Sequence, residues 1–230
     1  MAGGATPSGG RDAVLARVRR ALCREGEPPA PEAVTGRLRR PVPNTVPARG
    51  RLPRDERLAL FVRMALASQA TLDRVPGRDA LARAVAAHLE DAQLPKRVVL
   101  APASPLADLP WSEAGVAAER RLVRSGDPVA LASAAAGIAE TGTLALLSGP
   151  SNPVTGNFLP EHQLVVVDAD DVLAAPEDFW ARLRAEDPEG RARLPRTVNW
   201  ITGPSRSGDI EMTMLMGAHG PVAVHVLLVG

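Results

Sequence analysis

Between Ile201 and Pro221 the chain reads ITGPSRSGDIEMTMLMGAHGP, a serine–arginine–serine run followed by two acids and a histidine. A guanidinium flanked by hydroxyls and free backbone N–H groups suits a carboxylate or a phosphate. Ser205, Arg206 and Ser207 are therefore candidate anion ligands. Asp209 and Glu211 argue the other way, because acids in the first turn of a helix already satisfy its dipole. The loop also lacks the lysine of a phosphate-binding P-loop. A ligand loop and a plainly capped helix start both stay open. The helix expected over DIEMTMLMG would be roughly 13 Å long. That length puts His219 at the far edge from Arg206, where a histidine caps a helix C-terminus.

A second set lies in GIAETGTLALL, residues 137–147, which reads as strand, tight turn, strand, with Gly142 free to take positive φ. Glu140 offers a carboxylate base, and Thr141 and Thr143 offer hydroxyls. If this tip shares a sheet edge with the 203–206 loop, the two make a composite site. Glu140 and Arg206 are then the catalytic candidates. Thr141, Gly142, Thr143, Ser205, Ser207 and Asp209 are the binding candidates, with His162 and His219 lining the site. The plain alternative is a structural hairpin whose Glu140 pairs with Arg206, which would say nothing about function. His88 and His225 read as structural. The four histidines have no metal-binding spacing, and Asp168, Asp170 and Asp171 read as ordinary acids at a strand end, so no metal is expected.

Positioning these groups needs elements, and the pattern supplies them. Apolar positions Val14, Leu15, Val18, Ala21 and Leu22 recur at helical spacing in the first segment. Seven prolines between residues 27 and 53 exclude a helix there and make an extended connector. Residues 1–53 are thus expected to be a flexible arm, and 54–230 one α/β domain. Within the domain, 54–75 and 77–92 read as helices broken at Pro76-Gly77. Residues 97–102 read as a strand, 103–126 as irregular, and 128–136 as a short helical turn. Strands follow in HQLVVVDADD, RTVNWITG and PVAVHVLLVG, with a helix in PEDFWARLRAED. Apolar strands alternating with helices imply a mostly parallel sheet covered on both faces, with the 203–206 loop at the carboxyl ends of its strands.

Composition bounds the function. At 230 residues and 45% hydrophobic, the chain can bury a substantial core. A net charge of +1 and an aromatic content of 3% without tyrosine disfavour nucleic acid as a partner. Cys23 is the only thiol, too few for a disulfide, an iron–sulfur cluster or a zinc–thiolate site. MAGGATPSGG has no charged start followed by an apolar run, and no membrane-length apolar stretch occurs, so a cytoplasmic protein is expected.

The ordered series GIAETGTLALLS, LPEHQLVVVDADDV and GPSRSGDIEMTMLMGAHGPVAVHVLLVG resembles the LUD domain family over roughly residues 55–230. Ser207-Gly208 depart from the family's usual pair, a threonine or serine followed by alanine. The resemblance implies a three-layer α/β/α sandwich like the sugar-phosphate isomerase, CoA-transferase and formyltetrahydrofolate cyclo-ligase group. It also implies a non-redox part in bacterial oxidation of L-lactate to pyruvate, beside partner proteins that carry iron–sulfur clusters. This chain would bind no cofactor itself but a small carboxylate or anionic ligand, with self-association possible. The other functional expectation is an independent enzyme of the cyclo-ligase or isomerase type acting on a phosphorylated ligand.

Overall fold

The computed structural model describes residues 10–22, 47–186, 195–207 and 215–230, with the single positions 32, 35, 36 and 45. The chain divides into two compact units, Met1–Pro43 and Asn44–Gly230. In the first, helix α1 (Gly10–Ala21) carries Asp12 in its first turn and Arg19 and Arg20 in its last, the charge order that the helix dipole favours. Its apolar stripe of Val14, Leu15, Val18 and the adjoining Leu22 is exposed.

The second unit is built on a six-stranded sheet. Its strands are β1 (Thr71–Val75), β2 (Arg97–Leu100), β3 (Ala117–Arg120), β4 (Val129–Ser133), β7 (His162–Asp168) and β12 (Ala223–Val229), in the spatial order β1-β12-β7-β4-β2-β3. Every pairing in it is parallel. Central strands such as VVV (165–167) and VLLV (226–229) are apolar at each position because both faces are covered. Leu164, Val166, Leu227 and Val229 pack under helix α3 (Leu81–Asp91) and the buried Trp111. Val165, Val167, Val224, Val226 and Leu228 pack under helix α2 (Arg54–Ala67).

On the α2 side lies a second sheet, β8 (Val172–Leu173), β5 (Ala136–Ile138), β6 (Thr143–Leu147) and β9 (Val198–Ile201), in that order. Leu144 and Leu146 turn inward to the α2 core. Ala136, Ile138 and Ala145 face outward to helix α4 (Pro176–Ala185). There Phe179, Trp180 and Trp200 meet with ring centroids 5.1–6.0 Å apart. Pro176 opens α4, and the Asp178 carboxylate accepts the Ala175 N–H at 3.1 Å. Among the described residues, no helix is long and apolar enough to cross a membrane.

The α/β class with a parallel sheet between helices is as expected, and several elements differ. The helix expected over 54–75 ends at Ala67, because Ser68 closes it and Gln69 takes φ 66° before β1 begins. Residues 129–133 form a central strand, not a helical turn; burial of Val129 and Leu131 between neighbours overrides alanine's helical preference. Part of the segment expected to be irregular is β3. The helix expected over DIEMTMLMG does not extend to Leu215 and Met216, which are a strand. Arg206–Ser207 (β10) pair antiparallel with Leu215–Met216 (β11), and residues 208–214, including Asp209, lie outside the described set.

Candidate functional site

The β5–β6 hairpin turns at Glu140-Thr141-Gly142, with the Gly142 N–H donated to the Ile138 carbonyl at 2.8 Å. Gly142 has φ 68°, and a Cβ there would sit 2.3 Å from the Ala65 nitrogen. The tip therefore lies directly on the last turn of α2. Gly203, at φ 73°, lies on the same turn, where a Cβ would come 2.0 Å from the Ser68 carbonyl oxygen. Two glycines thus dock two loops side by side.

A chain of hydroxyls joins them. Thr141 Oγ1 and Thr143 Oγ1 are 2.7 Å apart, and Thr143 Oγ1 and Thr202 Oγ1 are also 2.7 Å apart. The hairpin tip and the 202–206 loop are therefore neighbours. They meet where α2 runs into the amino end of β1. The loop was expected at the carboxyl ends of the sheet strands. It is elsewhere because β9 belongs to the small antiparallel sheet, and because Ser205 N–H donates to Pro221 O at 2.9 Å while Val222 N–H donates to Glu161 O at 2.8 Å, just before β12 and β7 start.

Glu140 is nearly buried, its side chain 11% exposed, and Arg49 Nη2 donates to its Oε1 at 3.3 Å. Its cation is thus Arg49, not the Arg206 expected from sequence. One long bond from a 59% exposed guanidinium is a weak partner for a buried carboxylate, and among the described residues no second side-chain partner reaches Glu140. Arg206 is exposed and Ser207 half-buried on β10. Ser205 does not cap a helix. Its Oγ accepts the His219 N–H at 3.2 Å, and its carbonyl accepts the Gly217 N–H at 3.0 Å. His219 therefore folds back onto Ser205, not across the sheet from it as a long intervening helix would require. His219 lines a shallow cleft with Phe158, Leu159, Glu161, Gly220 and Val222.

His162 is not brought to the hairpin tip. It opens β7 at a position that alternates with Leu164 and Val166, so it belongs to the α3 face, while the tip stands on the α2 face. The trio Asp168, Asp170 and Asp171 is split among three ion pairs, to Arg78, Arg54 and Arg182, which matches its reading as strand-end acids. Sequence reasoning missed Arg49 and Thr202. Thr202 was marked by its place just ahead of GPSR; Arg49, inside a proline-rich run, carries no local signal.

The amino edge beside this region is braced by an ion pair. Arg121 grips Asp127 through both guanidinium ends, at 2.7 and 2.8 Å, and the Arg124 N–H donates to the same carboxylate at 2.7 Å. The Arg121 hydrogen bonds, aided by that N–H, hold the Asp127 carboxyl down at about 2 against the opposing effect of burial. The Asp127 carbonyl accepts the Glu161 N–H and so ties this clasp to the start of β7.

The architecture defines an α/β protein with a parallel sheet and an added small antiparallel sheet, and a hydroxyl-rich contact between two loops. The LUD domain family model matches residues 106–229, and the chain belongs to that family. Lactate utilization protein C of Halalkalibacterium halodurans is 33% identical over 92 residues, 40% of this chain and 40% of that protein. Its namesake from an Exiguobacterium species is 31% identical over 119 residues, 52% of this chain and 51% of that one. The matches thus span about half or less of these relatives' own length. The crystal structure of a DUF162 family protein from Deinococcus radiodurans superposes with a TM-score of 0.58 at 24% identity, covering 78% of this chain and 99% of that one, a likeness of fold.

Proposed function

We propose that this protein is a non-redox component of a bacterial system that oxidises L-lactate to pyruvate, and that it holds a small carboxylate at the contact between the hairpin tip and the 202–206 loop. The observation that carries the reading is the hydroxyl chain Thr141–Thr143–Thr202 beside the nearly buried Glu140, in a chain whose relatives are named for lactate utilization. A 2-hydroxy acid offers one carboxylate and one hydroxyl. Arg206 takes the carboxylate, a group that a planar guanidinium matches in a bidentate fashion. Glu140 accepts a hydrogen bond from the ligand's hydroxyl, and the threonines with Ser205 and Ser207 orient the ligand. The oxidation itself, with uptake of the two electrons and the C2 hydrogen, falls to partner proteins that carry iron–sulfur clusters, since a single thiol in this chain, Cys23, holds none. Arg206 and Ser207 are extended, so these two described residues themselves supply no helix N-terminus to the phosphorylated-ligand alternative.

The test is genetic. A strain lacking this gene is expected to lose growth on L-lactate while growing normally on pyruvate, with growth restored by the wild-type chain but not by Glu140→Gln or Arg206→Ala. Normal growth of the deletion strain on L-lactate overturns the proposal.

A further inference from the structure

On the opposite face of the main sheet, three groups of metal-ligand type converge under α3. Thr71 and Asp73 of β1 and His225 of β12 share that face: Thr71 pairs in register with His225, and His225 alternates with Leu227 and Val229 of the α3 core. His88 descends from α3, its ring stacked on that of His225 at a centroid distance of 3.6 Å and an angle of 18°. His162 stands on the adjoining strand. One ligand atom from each of Asp73, His88 and His225 lies within 4.8 Å of the other two.

Two observations separate this cluster from an ordinary buried histidine. His225 is 3% exposed, yet its Nε2 has no hydrogen-bond partner among the described residues. Its Nδ1 is 2.8 Å from Thr71 Oγ1. The tautomer that donates Nδ1–H to Thr71 leaves a lone pair on Nε2, and in either tautomer Nε2 faces the Asp73 carboxylate without making a hydrogen bond to it. A ring held through one nitrogen by an oxygen acceptor, with the other nitrogen open, is how a ligating histidine is oriented. Secondly, that open Nε2 is 3.5 Å from Asp73 Oδ2. Two ligands about 2.1 Å from one ion are roughly 3.4 Å apart at a tetrahedral angle and roughly 3.0 Å apart at a right angle, so this one pair is spaced as two tetrahedral ligands would be.

We propose that Asp73, His88 and His225 bind one zinc-class divalent ion, with Thr71 as the positioning residue behind His225. Parallel stacked rings cannot both aim a lone pair at one ion, so loading turns the His88 ring. That group is only half-buried, and Asp73 is exposed and opens the site to solvent. Three protein ligands leave the fourth position for water, the pattern of zinc sites that bind or activate small molecules. The site lies across the sheet from the hairpin tip and does not depend on the carboxylate reading.

The test titrates the untagged, metal-stripped full chain with Zn2+, and separately with Co2+ as a spectroscopic probe. Saturable uptake of one equivalent is expected, with the intense visible bands of four-coordinate Co2+ bleached by Zn2+. Zinc should raise the melting temperature of the wild type. Asp73→Asn and His88→Ala change side chains outside the packed core, so circular dichroism should show them folded while they lose the Co2+ bands. Thr71→Val should keep the stoichiometry and weaken zinc binding by about 10–100-fold. Absence of saturable uptake by the wild type, or uptake unchanged in Asp73→Asn and His88→Ala, overturns the proposal.

Discussion

At the scale of single residues, charge is placed where partners can hold it. Asp127 is the clearest case, since its carboxyl is held at about 2 by Arg121 and the Arg124 N–H. An unfolded aspartate titrates near 3.9, so the native state binds fewer protons between these values. Its stabilisation is complete above the unfolded value and is lost as pH falls through about 2. Asp127→Asn is expected to cost on the order of 1–3 kcal/mol at neutral pH. Denaturant midpoints measured from pH 7 down to pH 2 should show the gap between wild type and variant closing only below about pH 4. The sequence offered the hairpin tip as a neighbour of the GPSR loop only on the condition that the two share a sheet edge; Thr143 and Thr202 do meet, but beside the amino ends of the strands and not the carboxyl ends. It did not reveal Arg49 beside Glu140, 91 positions apart, nor the convergence of Asp73, His88 and His225. Those contacts depend on strand order, and no spacing along the chain encodes it.

At the scale of elements, two loops are fixed by glycines pressed against the end of α2. Gly142→Ala adds both a left-handed strain and a Cβ into the α2 backbone, 2.3 Å from Ala65 N and 2.4 Å from Met64 C. The expected loss is about 2–5 kcal/mol, from strain and overpacking together. Gly115→Ala isolates the first effect, because φ is 70° there with nothing within 4 Å of the added carbon. It should cost about 1 kcal/mol, and similar melting shifts for the two variants would refute the packing argument. The legibility of elements follows the same logic. β2, β7 and β12 were readable as apolar runs. The helical reading of 128–136 failed because alanine-rich VALAS is buried as a central strand. β1 was read as the tail of a helix because an edge strand with mostly exposed positions, TLDRV, has no apolar run to betray it.

At the scale of the molecule, the three hydrophobic clusters found among the described residues lie between Leu58 and Val229, inside the second compact unit. Deleting residues 1–43 is therefore expected to leave a cooperative thermal transition within a few degrees of the full chain; a collapse of that transition would show that the fold needs the arm. The aromatic residues divide along the same architecture. With no tyrosine in the chain, ultraviolet emission comes from three indoles. Trp111 sits beneath the helix on one side of the large sheet, and Trp180 and Trp200 sit together beyond the small one. Replacing Trp111 with phenylalanine would turn the remaining fluorescence into a private optical gauge of the small sheet, the layer that carries the hairpin, so that ligand capture there and ion capture on the far side could be followed by separate signals in one molecule.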